Sequence, residues 1–115
     1  MNGTYLRFYM HENVRHHHQM LYEWLLQHAK KMGVHGGSAF KAIEGFGRHG
    51  VVHAAHFFEL AGEMTIEVEF ILTEETADRL LESLRQEKIS VVYARSPVEF
   101  GVIGTGGQPA PASSR

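Results

Sequence analysis

A chain of 115 residues, 43% hydrophobic and 21% charged, holds one globular domain and leaves no room for a second core. It has no cysteine, which excludes a disulfide framework, a thiolate metal site and a cysteine nucleophile, and makes a reducing cytoplasm the expected compartment. A formal net charge of −2, with lysine and arginine spread thinly, excludes a basic face for nucleic acid and a polybasic membrane patch.

Met1-Asn2-Gly3-Thr4 has no basic start leading into an apolar run, and no apolar stretch is long enough to cross a bilayer, so neither secretion nor membrane insertion is expected. Thr4 to Met10 alternates, with Leu6, Phe8 and Met10 on one side and Tyr5, Arg7 and Tyr9 on the other, the period of a strand. From about His17 to Met32, Leu21, Trp24, Leu25 and Met32 recur at helical spacing, and Gly33 is the expected stop. Ser38 to Glu44 reads as a short strand running into the glycine-punctuated loop Gly45-Phe46-Gly47-Arg48-His49-Gly50.

Val51 to Leu60 reads as extended and is joined through Ala61-Gly62-Glu63 to the cleanest amphipathic strand, in which Met64, Ile66, Val68, Phe70 and Leu72 alternate with Thr65, Glu67 and Glu69. A hairpin between these two runs is expected. Thr73 is the expected N-cap of a second helix, with Glu74 and Glu75 at its positive end and Ala77, Leu80, Leu81 and Leu84 as its apolar stripe. Ile89 to Ala94 reads as the last strand. From Gly104 to Arg115 the composition turns to glycine, proline, alanine and serine, a disordered tail behind a domain over 1–103.

The order predicts an α+β, ferredoxin-like split β-α-β domain (βαββαβ): a four-stranded antiparallel sheet with two helices on one face. The other face would carry Tyr5, Tyr9 and apolar residues of the last strand, too apolar to be left in water, and self-association is its expected cover.

Among local motifs, Gly45-Phe46-Gly47-Arg48 at a strand exit offers main-chain N–H groups and a guanidinium to an anion. Taken by itself it reads more simply as a hairpin loop with an exposed arginine. The nine histidines are expected to be solvated and to make solubility sensitive to pH. His16-His17-His18 at a helix start would point in different directions, and His53 and His56, three apart in a strand, would face opposite sides, so no metal site is expected. Ser38 beside Gly36-Gly37 is not a nucleophile elbow, and Glu67 and Glu69 read as a solvated or interface face, so no enzyme activity is expected. Neither a P-loop nor a dinucleotide fingerprint occurs.

The strings Leu6-Arg7-Phe8-Tyr9-Met10-His11-Glu12-Asn13, Leu21-Tyr22-Glu23, Gly33 to Gly37 and Ile43-Glu44-Gly45-Phe46-Gly47 together resemble the conserved family of short PII-like proteins, related to the PII nitrogen-regulatory signal transducers. The resemblance runs over roughly residues 4 to 100. It implies a homotrimer binding an adenine nucleotide (ATP, ADP or AMP) or a related anion in intersubunit clefts, and relaying that state to a regulated protein such as a transporter or enzyme. The positions it marks for ligand are Glu44, Gly45, Phe46, Gly47 and Arg48. The loop after Arg48 is shorter than in PII proteins, and their glycine-rich phosphate loop is replaced by Arg85-Gln86-Glu87-Lys88-Ile89. Lys88 is assigned to a phosphate there, and Arg95, just beyond the last strand, to a neighbouring subunit's cleft. A second reading, from a related trimeric family linked to divalent cations and from the histidine content, is a metal-binding protein of the cation-tolerance type.

Overall fold

In the computed structural model, residues 1–45 and 64–104 are described. The expected strand Val51–Leu60, the residues Phe46, Gly47 and Arg48, and the tail from 105 onward lie outside them. The alternation at the N-terminus forms strand β1 (Asn2–His11), in which Thr4, Leu6, Phe8 and Met10 are buried and the intervening residues are not. The second alternating run forms β5 (Thr65–Leu72), whose Ile66, Val68, Phe70 and Leu72 are buried in step. These strands pair antiparallel with Phe8 opposite Val68 and Leu6 opposite Phe70, so both apolar faces lie on one side of the sheet.

Two short strands, β2 (Arg15–His16) and β3 (Gln19–Met20), form a separate hairpin. They are followed by helix α1 (Leu21–Lys31), strand β4 (Ser38–Lys41), then, after β5, helix α2 (Glu74–Gln86) and strand β6 (Val92–Glu99). The main sheet has the order β4-β5-β1-β6 and all its pairs are antiparallel. This is the split β-α-β arrangement expected from the sequence, with β1 and β5 central. Leu21, Leu25 and Ala29 of α1 and Ala77, Leu80, Leu81 and Leu84 of α2 join the buried sheet residues in one core cluster.

Several boundaries differ from those expected. Helix α1 begins at Leu21, four residues after His17, because His17 and His18 adopt φ of 52° and 69° and turn the β2–β3 hairpin. A two-residue turn with both central residues left-handed matches the twist of its strands, but it is usually built from Asn-Gly; an L-residue there costs roughly 1–2 kcal/mol. Nothing in the local sequence advertised it. The second strand stops at Lys41 and not Glu44, and it pairs with β5 on the side away from β1, Phe40 opposite Glu67. The last strand runs from Val92 to Glu99 in place of Ile89 to Ala94, since β6 follows nearly the whole length of β1, from Tyr9 opposite Val92 to Asn2 opposite Glu99. Pro97 is accommodated because β6 is an edge strand.

Both helices end in the same way. Past α1, Gly33 (φ 95°) donates its N–H to Lys30 O at 3.1 Å and Val34 donates to Ala29 O at 3.1 Å, the paired bonds of a left-handed C-terminal cap. Past α2, Lys88 donates to Arg85 O at 3.0 Å and Ile89 to Leu84 O at 3.2 Å, so Lys88 (φ 60°) stands where glycine is favoured. Ile89 is thereby spent on the cap and packs against the core, which is why the strand starts later. Replacing Lys88 by glycine should relieve this strain and stabilise the fold by about 1 kcal/mol, read as a raised midpoint in urea unfolding. At the other end of α2 the Thr73 hydroxyl accepts from Thr76 N at 3.0 Å, the expected cap.

Gly37 sits where a Cβ would lie 2.5 Å from the Phe70 ring, a close approach only glycine permits.

Candidate functional site

Chain direction decides what meets at each end of the sheet. β1 ends, β4 ends, and β5 and β6 begin at one end, which also receives the C-terminus of α2 and the β2–β3 hairpin. Strand β4 ends here at Lys41, and the residue before β5, Met64, lies at the same end. Glu12 ties the two points: its carboxylate accepts from Met64 N at 3.0 Å and pairs with Lys41 Nζ at 3.1 Å, while Glu12 N donates to Met64 O at 2.9 Å. The bond from the Met64 amide, then Lys41, holds the Glu12 carboxyl below the usual carboxylate range. Ala42 N donates to Thr65 O at 2.8 Å and extends the sheet toward Ile43, Glu44 and Gly45, all exposed.

Lys88 is exposed at this same end, on the connection between α2 and β6. It precedes β6 by four residues, whereas Glu44 and Gly45 follow β4, and among the described residues β4 and β6 are the edge strands. Three interstrand steps of about 4.8 Å separate those edges. Within one chain Glu44 and Gly45 thus continue from one edge strand and Lys88 leads into the other. Arg95 is placed inside β6, not beyond it, opposite Leu6, and its Nη1 bonds Asp78 Oδ1 at 2.9 Å. It lines a groove of about 480 Å³ at the far end of the sheet with Asn2, Gly3, Thr4, Glu74, Ser96 and Pro97. A guanidinium already paired with one carboxylate and neighboured by another is a poor anion receptor, and it is remote from the other assigned residues.

Between the edges a smaller groove of about 270 Å³ is lined by Tyr9, Met10, His11, Val14, Ser90, Val91 and Val92. It adjoins the sheet face that no helix of the described residues covers. Directly opposite residues share a face, so Phe40, Glu67, Tyr9 and Val92 form one row across that face and Ser38, Glu69, Arg7 and Ala94 the next. Tyr5 donates its hydroxyl to Glu69 Oε2 at 2.7 Å, and the Arg7 guanidinium lies 4.8 Å from the centre of the Tyr5 ring. The bond to Glu69 raises the Tyr5 phenol, and burial, followed by a hydrogen bond to Glu69, raises the Glu67 carboxyl above its usual range. Phe40 is 54% exposed and Val92 47%, so apolar surface flanks this charged centre.

A cluster that sequence reasoning missed lies beside Lys88. Nε2 of His16 and of His17 approach one oxygen of Glu87, at 3.0 and 3.1 Å. Both contacts pull the Glu87 carboxyl below its usual range. The His16 ring meets Trp24 edge-on at 4.5 Å, and Trp24 stacks on His28 at 4.5 Å, whose Nε2 in turn contacts Ser83 Oγ at 2.8 Å. Burial lowers the pKa of His28. The sequence-based expectation that the histidine run scatters in solvent is corrected for His16 and His17: the hairpin turn directs both rings to the end of α2. His53 and His56 lie outside the described residues. No signal within the run announces this, since it depends on a turn of unusual composition and on a carboxylate 70 residues away.

Among the described residues no helix is long and apolar enough to cross a membrane. A curated protein of Aquifex aeolicus (strain VF5), described as a UPF0166 protein, is 31% identical over 96 residues, covering 76% of this chain and 91% of its own length. The fold is similar to the crystal structure of a protein from Thermus thermophilus described as PII-like and signaling, with a TM-score of 0.56, 21% identity and coverage of 84% of this chain and 87% of that one. The family model for DUF190, Uncharacterized ACR, matches residues 3–99. With nearly the whole domain matched in this way, the chain belongs to the DUF190 family.

Proposed function

We propose that this protein is a PII-like regulator that assembles as a homotrimer in the cytoplasm, binds an adenine nucleotide or related anionic small molecule between subunits, and relays its state to a partner such as a transporter or enzyme. The observation that supports the reading is that Glu44 and Gly45 follow edge strand β4 and Lys88 leads into edge strand β6, at the same end of the domain. One ligand reaches both groups when the edge of a second copy meets the edge of the first. The uncovered face supplies the reason for such a contact, because apolar Phe40 and Val92 surround the Arg7–Glu69 centre. In this reading the role is binding without turnover.

In this reading Gly45, Phe46, Gly47 and Arg48 form the rim on one subunit and Lys88 supplies a cation from the neighbour, whereas Arg95, held by Asp78, takes no part. Ligand binding then shifts the population of conformers of the 44–51 segment. Calorimetric titration with ATP, ADP and AMP, with and without magnesium, tests this. Saturable binding near one ligand per chain is expected, and Lys88→Gln, which keeps a side chain on the same backbone, should weaken it about tenfold by removing one charge-assisted bond. Arg48→Ala should weaken it while leaving assembly intact. An absence of saturable binding to all three nucleotides sinks the nucleotide assignment.

A further inference from the structure

We propose that His16, His17 and Glu87 form a binding site for a borderline divalent transition-metal ion, of the zinc, copper(II) or nickel(II) class. Both imidazole Nε2 atoms lie within 3.1 Å of the same carboxylate oxygen, and one ligand atom from each of the three residues falls within 4.8 Å of the others. Donors around one such ion at about 2.0–2.2 Å are separated by about 3.3 Å, so small side-chain rotations convert the cluster into a coordination shell.

The donor set decides the class of ion. Two imidazole nitrogens and one carboxylate oxygen suit zinc, copper and nickel, whereas calcium and magnesium require shells of oxygen. Three protein ligands leave a further position for solvent. Entry is open, since the side chains of His17 and Glu87 are 64% and 38% exposed.

The backbone holds the donors in place. His17 and His18 take the left-handed positions of the hairpin turn, which Asn-Gly would fill with less strain, and this turn carries the His17 ring to within 4.2 Å of the His16 ring. Glu87 is the C-cap residue of α2, fixed by its own N–H to Ser83 O at 3.1 Å. Trp24 backs His16 on the side of the core. The site is independent of the nucleotide reading.

Trp24 is the single tryptophan of the chain and its ring lies 4.5 Å from that of His16, so its fluorescence reports occupancy directly. Tag-free protein would be titrated with copper(II) and with nickel(II), with magnesium as the control, in a buffer that does not chelate. Saturable quenching at one ion per chain is expected, with none from magnesium. Glu87→Gln, and His17→Asn, which tolerates the left-handed turn, should each weaken the ion's affinity at least tenfold while leaving the circular dichroism spectrum unchanged. Quenching that never saturates, or that is as tight in both variants as in the parent protein, overturns the proposal and assigns the effect to scattered histidines.

Discussion

Truncation of Phe8 to alanine should destabilise the protein by about 3–5 kcal/mol, the largest effect expected of any single substitution in the core. Phe8 is fully buried at the centre of the middle strand β1, opposite Val68 on one side and Tyr93 on the other. Its ring meets Phe70 edge-on at 6.2 Å and Tyr93 at 6.3 Å. Truncation removes those ring contacts and leaves a cavity that two hydrogen-bonded neighbours cannot close by moving inward. With total stabilities of small domains at roughly 5–15 kcal/mol, such a loss leaves little reserve. Urea unfolding measured at fixed protein concentration checks it. A loss below about 1 kcal/mol would mean that the sheet centre repacks and that its register is not as described.

Reversing the charge of Arg7 should break the proposed trimer while leaving the subunit folded. Arg7 lies on the uncovered face, opposite Glu69 on β5 and Ala94 on β6, with Glu67 in the neighbouring row. Arg7→Glu places three carboxylates together on the surface that self-association would bury, and burying uncompensated like charge costs far more than the same charge costs in water. The expected result, by light scattering after size-exclusion chromatography, is a fall from three times the 13.0 kDa chain mass to a single chain, with helical content retained. Nucleotide affinity should fall with it, because the proposed cleft needs two subunits. A variant that remains trimeric would place the subunit contact elsewhere.

These two substitutions separate the faces of the same strand. Phe8 and Arg7 are adjacent in sequence, and the pleat sends one to the core and the other to the uncovered face.

The local pattern carried most of the architecture. Alternation over Thr4 to Met10 and Met64 to Leu72 specified both central strands and their buried faces; the Leu80, Leu81 and Leu84 stripe with the Thr73 cap specified α2, and Gly33 specified the end of α1. Each is a signal contained within a few turns or pleats, where the hydrophobic period and the cap chemistry act on the same residues. The resemblance to PII-like proteins rested on such segments, and the family match over residues 3–99 agrees with it.

Other features had no local signature. The His17-His18 turn has neither the Asn nor the Gly that usually marks such a hairpin, and β6 owes its length to pairing with β1 rather than to its own Arg95-Ser96-Pro97 composition. Arg95 reads as a free cation until Asp78 is brought to it, and Glu87 reads as an ordinary helix-end carboxylate until the hairpin delivers His16 and His17. Periodicity along the chain settled which residues become the central strands, the helices and the core, because burial follows the hydrophobic period. The meeting of charges, the sheet edge that carries each half of the proposed cleft and the convergence of His16 with His17 came only with the packed fold. Those contacts join residues far apart in the chain, and they exist only once both helices have closed over the sheet.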